Sequence, residues 1–235
     1  MGKGINPMPK LLLNEIFYSL QGEGVYAGVP TIFIRFAGCN LLIGCAWCDT
    51  SYAQRSKDGK EWEIQAILDE CVRLEPRTYQ HWVCITGGEP LFQEEGLHEL
   101  VKKLKRYGYR VEIETNGSIE KPLWWTIADC WVADIKCPSS GVSGVSKEDW
   151  LESRFNDQVK FVVGDEEDLK FAKKVICGSV MRSPIILVSP VTKVKDNKVI
   201  WDVKWLQRVA EFCKELNVRY SLQLHKILWG NRKGV

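Results

Sequence analysis

Three cysteines fall within ten residues, in Cys39-Asn-Leu-Leu-Ile-Gly-Cys45-Ala-Trp-Cys48. Thiolates at such spacing are ligands for zinc or for an iron–sulfur cluster. A structural zinc site takes four closed ligands, and His81, His98 and His225 do not stand at zinc-ribbon spacing. Three cysteines on a four-iron cluster would instead leave one iron open to an outside ligand. The spacing favours the cluster, with zinc and plain structural thiols as the alternatives. A second constellation is Thr86-Gly87-Gly88-Glu89-Pro90. Adjacent glycines allow close backbone approach to a ligand, and the Glu89 carboxylate suits an ammonium group. Read alone, the same residues also make an ordinary turn in which Pro90 starts a helix.

These groups need a scaffold, and the apolar patterning supplies one. Strand-type runs occupy 31–36, 82–86, 109–115, 130–135, 158–163, 184–189 and 219–224. Amphipathic helix patterns lie between them at about 63–75, 93–107, 165–177 and 202–216. Near-continuously apolar strands alternating with helices mean a parallel sheet covered by helices. In such folds reactive groups collect at the carboxyl ends of the strands. Cys39 follows the first strand, Gly87-Gly88-Glu89 the second, Asn116-Gly117 the third and Lys136 the fourth, and Ser189-Pro190 closes the sixth. The expected architecture is an α/β fold, a partial, open-sided (β/α)6 TIM-like barrel, as a single domain over 1–235.

The rest of the chain sets boundaries. Of 235 residues, 45% are hydrophobic and 26% charged, which suits a globular protein and excludes wholesale disorder. Lys+Arg number 32 against 30 Asp+Glu, and a net charge of +2 gives no nucleic-acid footprint or polybasic anchor. No apolar run could span a bilayer or form a signal-peptide core, so a cytoplasmic protein without membrane partners is expected. Cys71, Cys84, Cys130, Cys137, Cys177 and Cys213 are scattered, mostly in apolar company, and read as small buried hydrophobes. Trp124, Trp125, Trp131, Trp201 and Trp205 read as core or interface residues rather than a stacking platform. Lys193–Lys198 reads as a solvated hairpin turning at Asp196-Asn197.

Taken together, the cysteine loop and GGE resemble the radical S-adenosylmethionine superfamily. The commonest spacing there is C-x3-C-x2-C, whereas this chain has C-x5-C-x2-C. SLQGEG at 19–24, RFAGCNL at 35–41, WCDT at 47–50, ETNG at 114–117, DIK at 134–136 and LQLHK at 222–226 resemble the 7-carboxy-7-deazaguanine synthase family. That resemblance implies a lyase that rearranges 6-carboxy-5,6,7,8-tetrahydropterin to 7-carboxy-7-deazaguanine with loss of ammonia, in queuosine-type deazapurine biosynthesis. It implies a [4Fe-4S] cluster on Cys39, Cys45 and Cys48. S-adenosylmethionine would lie against Trp47, Gly88, Glu89, Asn116, Lys136, Ser189 and Gln223. Substrate contacts would come from Gln21, Glu23, Arg35, Thr86 and His225, the Arg35 fork taking the carboxylate. Mg2+ would sit on the Thr50 hydroxyl, where the residues alone would have named Asp49. A flavodoxin- or ferredoxin-type electron donor and a homodimer are implied too. The competing readings are an activase for a glycyl-radical enzyme and a non-catalytic zinc module.

Overall fold

The computed structural model describes residues 9–41, 44–75, 81–152, 154–178 and 185–235. In chain order the strands are β1 (Leu11–Leu20), β2 (Pro30–Phe36), β3 (Lys60–Trp62), β4 (Trp82–Gly87), β5 (Arg110–Thr115) and β6 (Cys130–Ile135). They continue with β7 (Gln158–Val163), β8 (Ile185–Pro190), β9 (Lys193–Lys195), β10 (Lys198–Ile200) and β11 (Arg219–Tyr220). Nine of them form one sheet in the order β11-β8-β7-β6-β5-β4-β2-β1-β3, and β9 and β10 form a separate hairpin. From β2 to β11 the sheet is parallel, while β1 and β3 extend it antiparallel beyond β2. β3 and β11 remain unpaired with each other, so the sheet does not close. It nevertheless curves, which brings Glu23, just after β1, within 2.8 Å of Lys160 of β7.

Helices α1 (Ile64–Leu74), α2 (Glu94–Arg106), α3 (Glu166–Gly178) and α4 (Val203–Leu216) cover the outside, and α5 (Leu224–Trp229) follows β11. α1 buries Ile64, Ile67, Leu68 and Cys71, one face of a 3.6-residue repeat. α2 places Glu94 and Glu95 in its first turn and Lys103, Lys105 and Arg106 in its last, matching the helix dipole. α4 starts on Asp202, whose carboxylate accepts from Trp205 N at 3.0 Å, and stops at Asn217 in the left-handed conformation. Among the described residues no helix is long and apolar enough to cross a membrane.

Four features differ from the sequence reading. First, β1 and β3 carry no simple period, since β1 buries Leu11 and Leu13 on one face and then runs half-buried beside β2. Second, the expected strand at 219–224 ends at Tyr220, and Gln223, His225 and Lys226 instead ride on the start of α5. Third, where the (β/α)6 plan would put helices, the β5–β6 and β6–β7 crossovers hold only short 3-10 turns among the described residues. Tryptophans fill that gap: Trp131 and Trp150 are buried 5.2 Å apart, and Trp124 packs on Trp131. Fourth, Cys177 is exposed. The hairpin does turn at Asp196-Asn197, both with positive φ. Trp201, by contrast, is half exposed.

Alternation along the parallel strands positions everything that follows. Ile32, Ile34, Phe36, Val83, Ile85, Val111 and Ile113 face the α1–α2 side of the core. Val159, Phe161, Val163 and Val188 face a second apolar cluster with Val209 and Phe212 of α4. The intervening residues point inward, and many are polar: Arg35, Thr86, Glu112, Glu114, Asp134, Gln158 and Lys160.

Candidate active site

A cavity of about 240 Å³ opens at the carboxyl ends of the strands. Its lining includes the three loop cysteines, inward residues of β2 and β4–β7, the start of α5 and tail residues Gly230, Asn231, Arg232, Gly234 and Val235. Cys39 leaves β2 with its N–H bonded to Gln54 O at 2.8 Å, and Cys48 N donates to Cys45 O at 3.1 Å. In the lengthened segment between the first two cysteines, Leu42 and Ile43 lie outside the described residues. All three thiols are free and half-buried, and burial pushes those of Cys39 and Cys45 up from their ordinary pKa.

The thiols do not converge on a point. Among the described residues, the one trio of His, Cys, Asp or Glu ligand atoms within 4.8 Å of one another is Cys84, Glu112 and Glu114. The loop therefore does not present a closed, single-ion zinc site. Three separate soft donors around a cavity fit a multi-iron group, in which each thiolate serves its own iron.

The glycines of the GGE stretch serve the chain itself. A Cβ on Gly87 would lie 2.2 Å from Phe36 O, and one on Gly88 would lie 2.1 Å from Gly38 O. Only glycine lets β4 run so close to the segment leading into Cys39. Gly88 N and Glu89 N then donate to Phe36 O and Gly38 O at 3.0 and 2.8 Å. Glu89 lies fully buried behind the cavity wall, accepting from Leu91 N, Thr115 Oγ1 and Asn116 N at 2.7–3.0 Å. Burial raises its pKa to about 7 against those donors.

Opposite the cysteines the wall is charged. Arg35 Nε donates to Glu15 at 2.8 Å, with the guanidinium over the Phe17 and Tyr52 rings. That leaves the two terminal nitrogens of its fork without a hydrogen-bond partner among the described residues. Thr86 Oγ1 donates to Glu114 at 2.7 Å. Glu23 accepts from Lys160 at 2.8 Å and Gln223 at 3.0 Å; burial disfavours its charge, but Lys160 and His225 override that and lower its pKa to about 2. Lys136 pairs with Asp134 at 2.9 Å and lies near the Cys45 thiol. Asn116 Nδ2 donates to Asn40 Oδ1 at 3.0 Å and points at Cys39 Sγ, 3.8 Å away. His225 and Lys226 approach Asp49 at 3.6 and 3.3 Å, while Thr50 Oγ1 lies 3.7 Å from Cys48 Sγ.

The cavity thus gathers Cys39, Cys45, Cys48, Trp47 and Thr50 from the loop with Arg35, Thr86, Gly88 and Asn116 from the strand ends. Gln21, Glu23, Lys136, Gln223 and His225 join them. Glu89 and Ser189 do not line it; Ser189 is buried at the end of β8, its hydroxyl without a hydrogen-bond partner. Asp134 Oδ1, at the wall, is equally unpartnered. An unsatisfied carboxylate oxygen at the wall, on a cavity that three disulfide-free thiols also line, fits a site built for a polar cofactor.

The Radical SAM superfamily pattern matches residues 33–125. A 7-carboxy-7-deazaguanine synthase from Methanospirillum hungatei is 40% identical over 218 residues, 91% of this chain and 83% of that protein. One from Koribacter versatilis is 37% identical over 227 residues, 92% and 96% of the two chains. The chain belongs to the 7-carboxy-7-deazaguanine synthase family. The crystal structure of QueE from Escherichia coli superposes with a TM-score of 0.72 at 25% identity, covering 92% of this chain and 95% of that one. Membership in the radical S-adenosylmethionine superfamily brings a [4Fe-4S] cluster and S-adenosylmethionine as cofactors.

Sequence reasoning missed Glu114, Asp134, Lys160 and Lys226 as residues of this synthase-family cavity. The signal was present as a charge at every second position of otherwise apolar strands, in Glu112–Glu114 and Asp134–Lys136. The same alternation corrects the reading of Cys84 and Cys130 as thiols in apolar surroundings. Gln21 Nε2 lies 3.6 Å from Cys84 Sγ, and Gln158 Nε2 lies 3.2 Å from Cys130 Sγ.

Proposed function

We propose that this chain converts 6-carboxy-5,6,7,8-tetrahydropterin to 7-carboxy-7-deazaguanine with loss of ammonia. One observation carries the reading: three thiols outside any disulfide and the open fork of Arg35 face the same cavity. When bound, the cluster and S-adenosylmethionine supply the one-electron chemistry that activates the substrate. The chain's own residues bind and orient. Cys39, Cys45 and Cys48 would hold the cluster. Gly88, Asn116, Lys136, Gln223 and Trp47 would receive S-adenosylmethionine, with Ser189 offering its unpartnered hydroxyl from behind. Glu89 would act from behind the wall by fixing the Asn116 backbone.

Arg35 would take the substrate carboxylate bidentately. Glu23, Thr86 and His225 would meet the pterin's donors and acceptors, joined by Glu114. Gln21 has its amide oxygen spent on its own loop and its nitrogen on Glu112, and would serve by holding that loop. For Mg2+, the Thr50 hydroxyl is the better candidate, because Asp49 is already flanked by His225 and Lys226. One protein oxygen with substrate and water suits an ion that keeps much of its hydration. A one-electron donor of the flavodoxin or ferredoxin class, and a homodimer, complete the reading.

The test is anaerobic reconstitution with S-adenosylmethionine, dithionite and the carboxylated tetrahydropterin, with product mass read against Mg2+ concentration. Mass loss equal to ammonia is expected, with Mg2+ stimulation absent in Thr50→Ala and restored in Thr50→Ser. Cleavage of S-adenosylmethionine without that product would overturn the substrate assignment. Equal Mg2+ dependence in Thr50→Ala and the parent would pass the metal to Asp49.

A further inference from the structure

Beneath the cavity floor lies a carboxyl group that the proposed chemistry does not use. Glu112 of β5 is 3% exposed and faces inward two residues before Glu114. Strand register puts Cys84 on one side of it and Cys130 on the other. No cation pairs with it among the described residues. Burial first, then the neighbouring Glu114 carboxylate, raises its pKa to about 8. As packing alone, an apolar side chain would serve at least as well.

Its hydrogen bonds show a different use. Glu112 accepts from Gln21 Nε2 and, at 3.5 Å, from Gln158 Nε2. These glutamines come from opposite parts of the sheet, after β1 and at the start of β7. With their nitrogens turned to Glu112, both amide oxygens face the loop that follows β1. Gln21 Oε1 accepts from Gly22 N at 2.7 Å and Glu23 N at 3.3 Å, and Gln158 Oε1 accepts from Val25 N at 3.0 Å. Gly24 N is taken by Ser221 Oγ at 3.1 Å. Four consecutive backbone N–H groups are therefore held by side chains. This is the loop that carries Glu23 to Lys160 and Gln223.

A glutamine amide can exchange its oxygen and nitrogen by rotation at little steric cost. We infer that Glu112 is a positioning residue: by accepting from both glutamine nitrogens it fixes their orientation, and so pins Gly22–Val25 and Glu23 for the pterin edge. The inference rests on the function proposed above for its kinetic consequence, but not for the structural one.

The experiment compares Glu112→Leu and Glu112→Gln with the parent, using reconstituted holoenzyme. Glu112→Leu should keep its iron content but melt below the parent temperature, because two buried amide N–H groups lose their acceptor. It should raise KM for the tetrahydropterin about tenfold with a smaller change in kcat, the pattern of lost binding geometry. Amide hydrogen exchange at residues 22–25 should accelerate about tenfold in the same variant. Glu112→Gln keeps one acceptor oxygen and should fall between. Parent-like KM and parent-like exchange in Glu112→Leu would overturn the inference. Should Glu112→Leu fail to fold, Gln158→Met asks the same question by releasing Val25 alone, and unchanged exchange at Val25 overturns it. A parent that does not turn over the pterin refutes the proposed function instead, while the exchange measurement, which needs no substrate, still decides the role of Glu112.

Discussion

The cysteine loop and the inward strand faces line one cavity but are held by opposite means. The loop is fixed by its backbone, through Gly38 N to Ala53 O, Cys39 N to Gln54 O and Ala46 N to Ser140 O. Its thiols form no disulfide, and their side-chain partners are distant, Asn116 Nδ2 at 3.8 Å from Cys39 and Thr50 Oγ1 at 3.7 Å from Cys48. Along the strands the backbone is ordinary ladder, and the side chains are committed to one another, Lys160 to Glu23 and Asp134, Lys136 to Asp134, Thr86 to Glu114. A region with free donors can accept a group without losing existing contacts. A region of paired charges must exchange partners, which gives it selectivity for ligands that replace what they displace. The first suits a resident cofactor, the second a substrate.

The sharpest break in that comparison is at the thiols. Cys39→Ala, Cys45→Ala or Cys48→Ala should abolish cleavage of S-adenosylmethionine and bound iron, with little change in melting temperature. Cys84→Ala removes a fully buried thiol from the strand side and should keep both, losing about 1 kcal/mol of stability. Parent-level iron in a loop variant would show that the two regions had been assigned the wrong way round.

Next in size is the strand side. Lys160→Met leaves the Glu23 and Asp134 carboxylates without their shared ammonium, so unfolding free energy should drop by about 3 kcal/mol. Acid sensitivity gives the sign. Glu23 has its pKa lowered from 4.5 to about 2, so its contribution is complete above the higher value and is lost as pH falls through the lower one. Without Lys160 that loss moves up, and the acid-unfolding midpoint should rise. Urea denaturation at pH 7 and at pH 3.5 measures both effects, and an unchanged midpoint would make the ion pair incidental.

The smallest effect is expected at Arg35→Lys, which keeps the charge and loses the fork. Binding of the carboxylated tetrahydropterin should weaken by about tenfold, near 1.4 kcal/mol, at unchanged iron content. Calorimetric titration under anaerobic conditions reads this directly. An unchanged Kd would leave Arg35 as the structural partner of Glu15 alone.

Much of this molecule is written locally. Periodicity placed β6 and β7 to the residue and the four long helices to within a few residues, because burial on one side of a strand or helix leaves a repeat of fixed length. The cysteine loop and GGE were legible for a related reason, since ligands close in sequence form a spacing that can be read along a line. β1, β3 and the end of the run at 219–224 were not legible. Their conformations depend on neighbours: β1 on pairing with β2, and Gln223–Lys226 on docking against the loop at Gly22, where His225 packs so tightly that a Cβ on Gly22 would lie 2.2 Å from its Nδ1.

The sequence by itself therefore determined the element types, the thiol donor set and the family resemblance. Only the tertiary structure decided which charges share a wall. Glu23 and Lys160 stand 137 positions apart and Glu23 and Gln223 stand 200 apart, and nothing local couples them. They meet because a right-handed parallel sheet, curved but not closed, brings the loop after β1 over the ends of β6 and β7. The same curvature places Glu112 beneath two glutamines whose roles no spacing in the chain reveals.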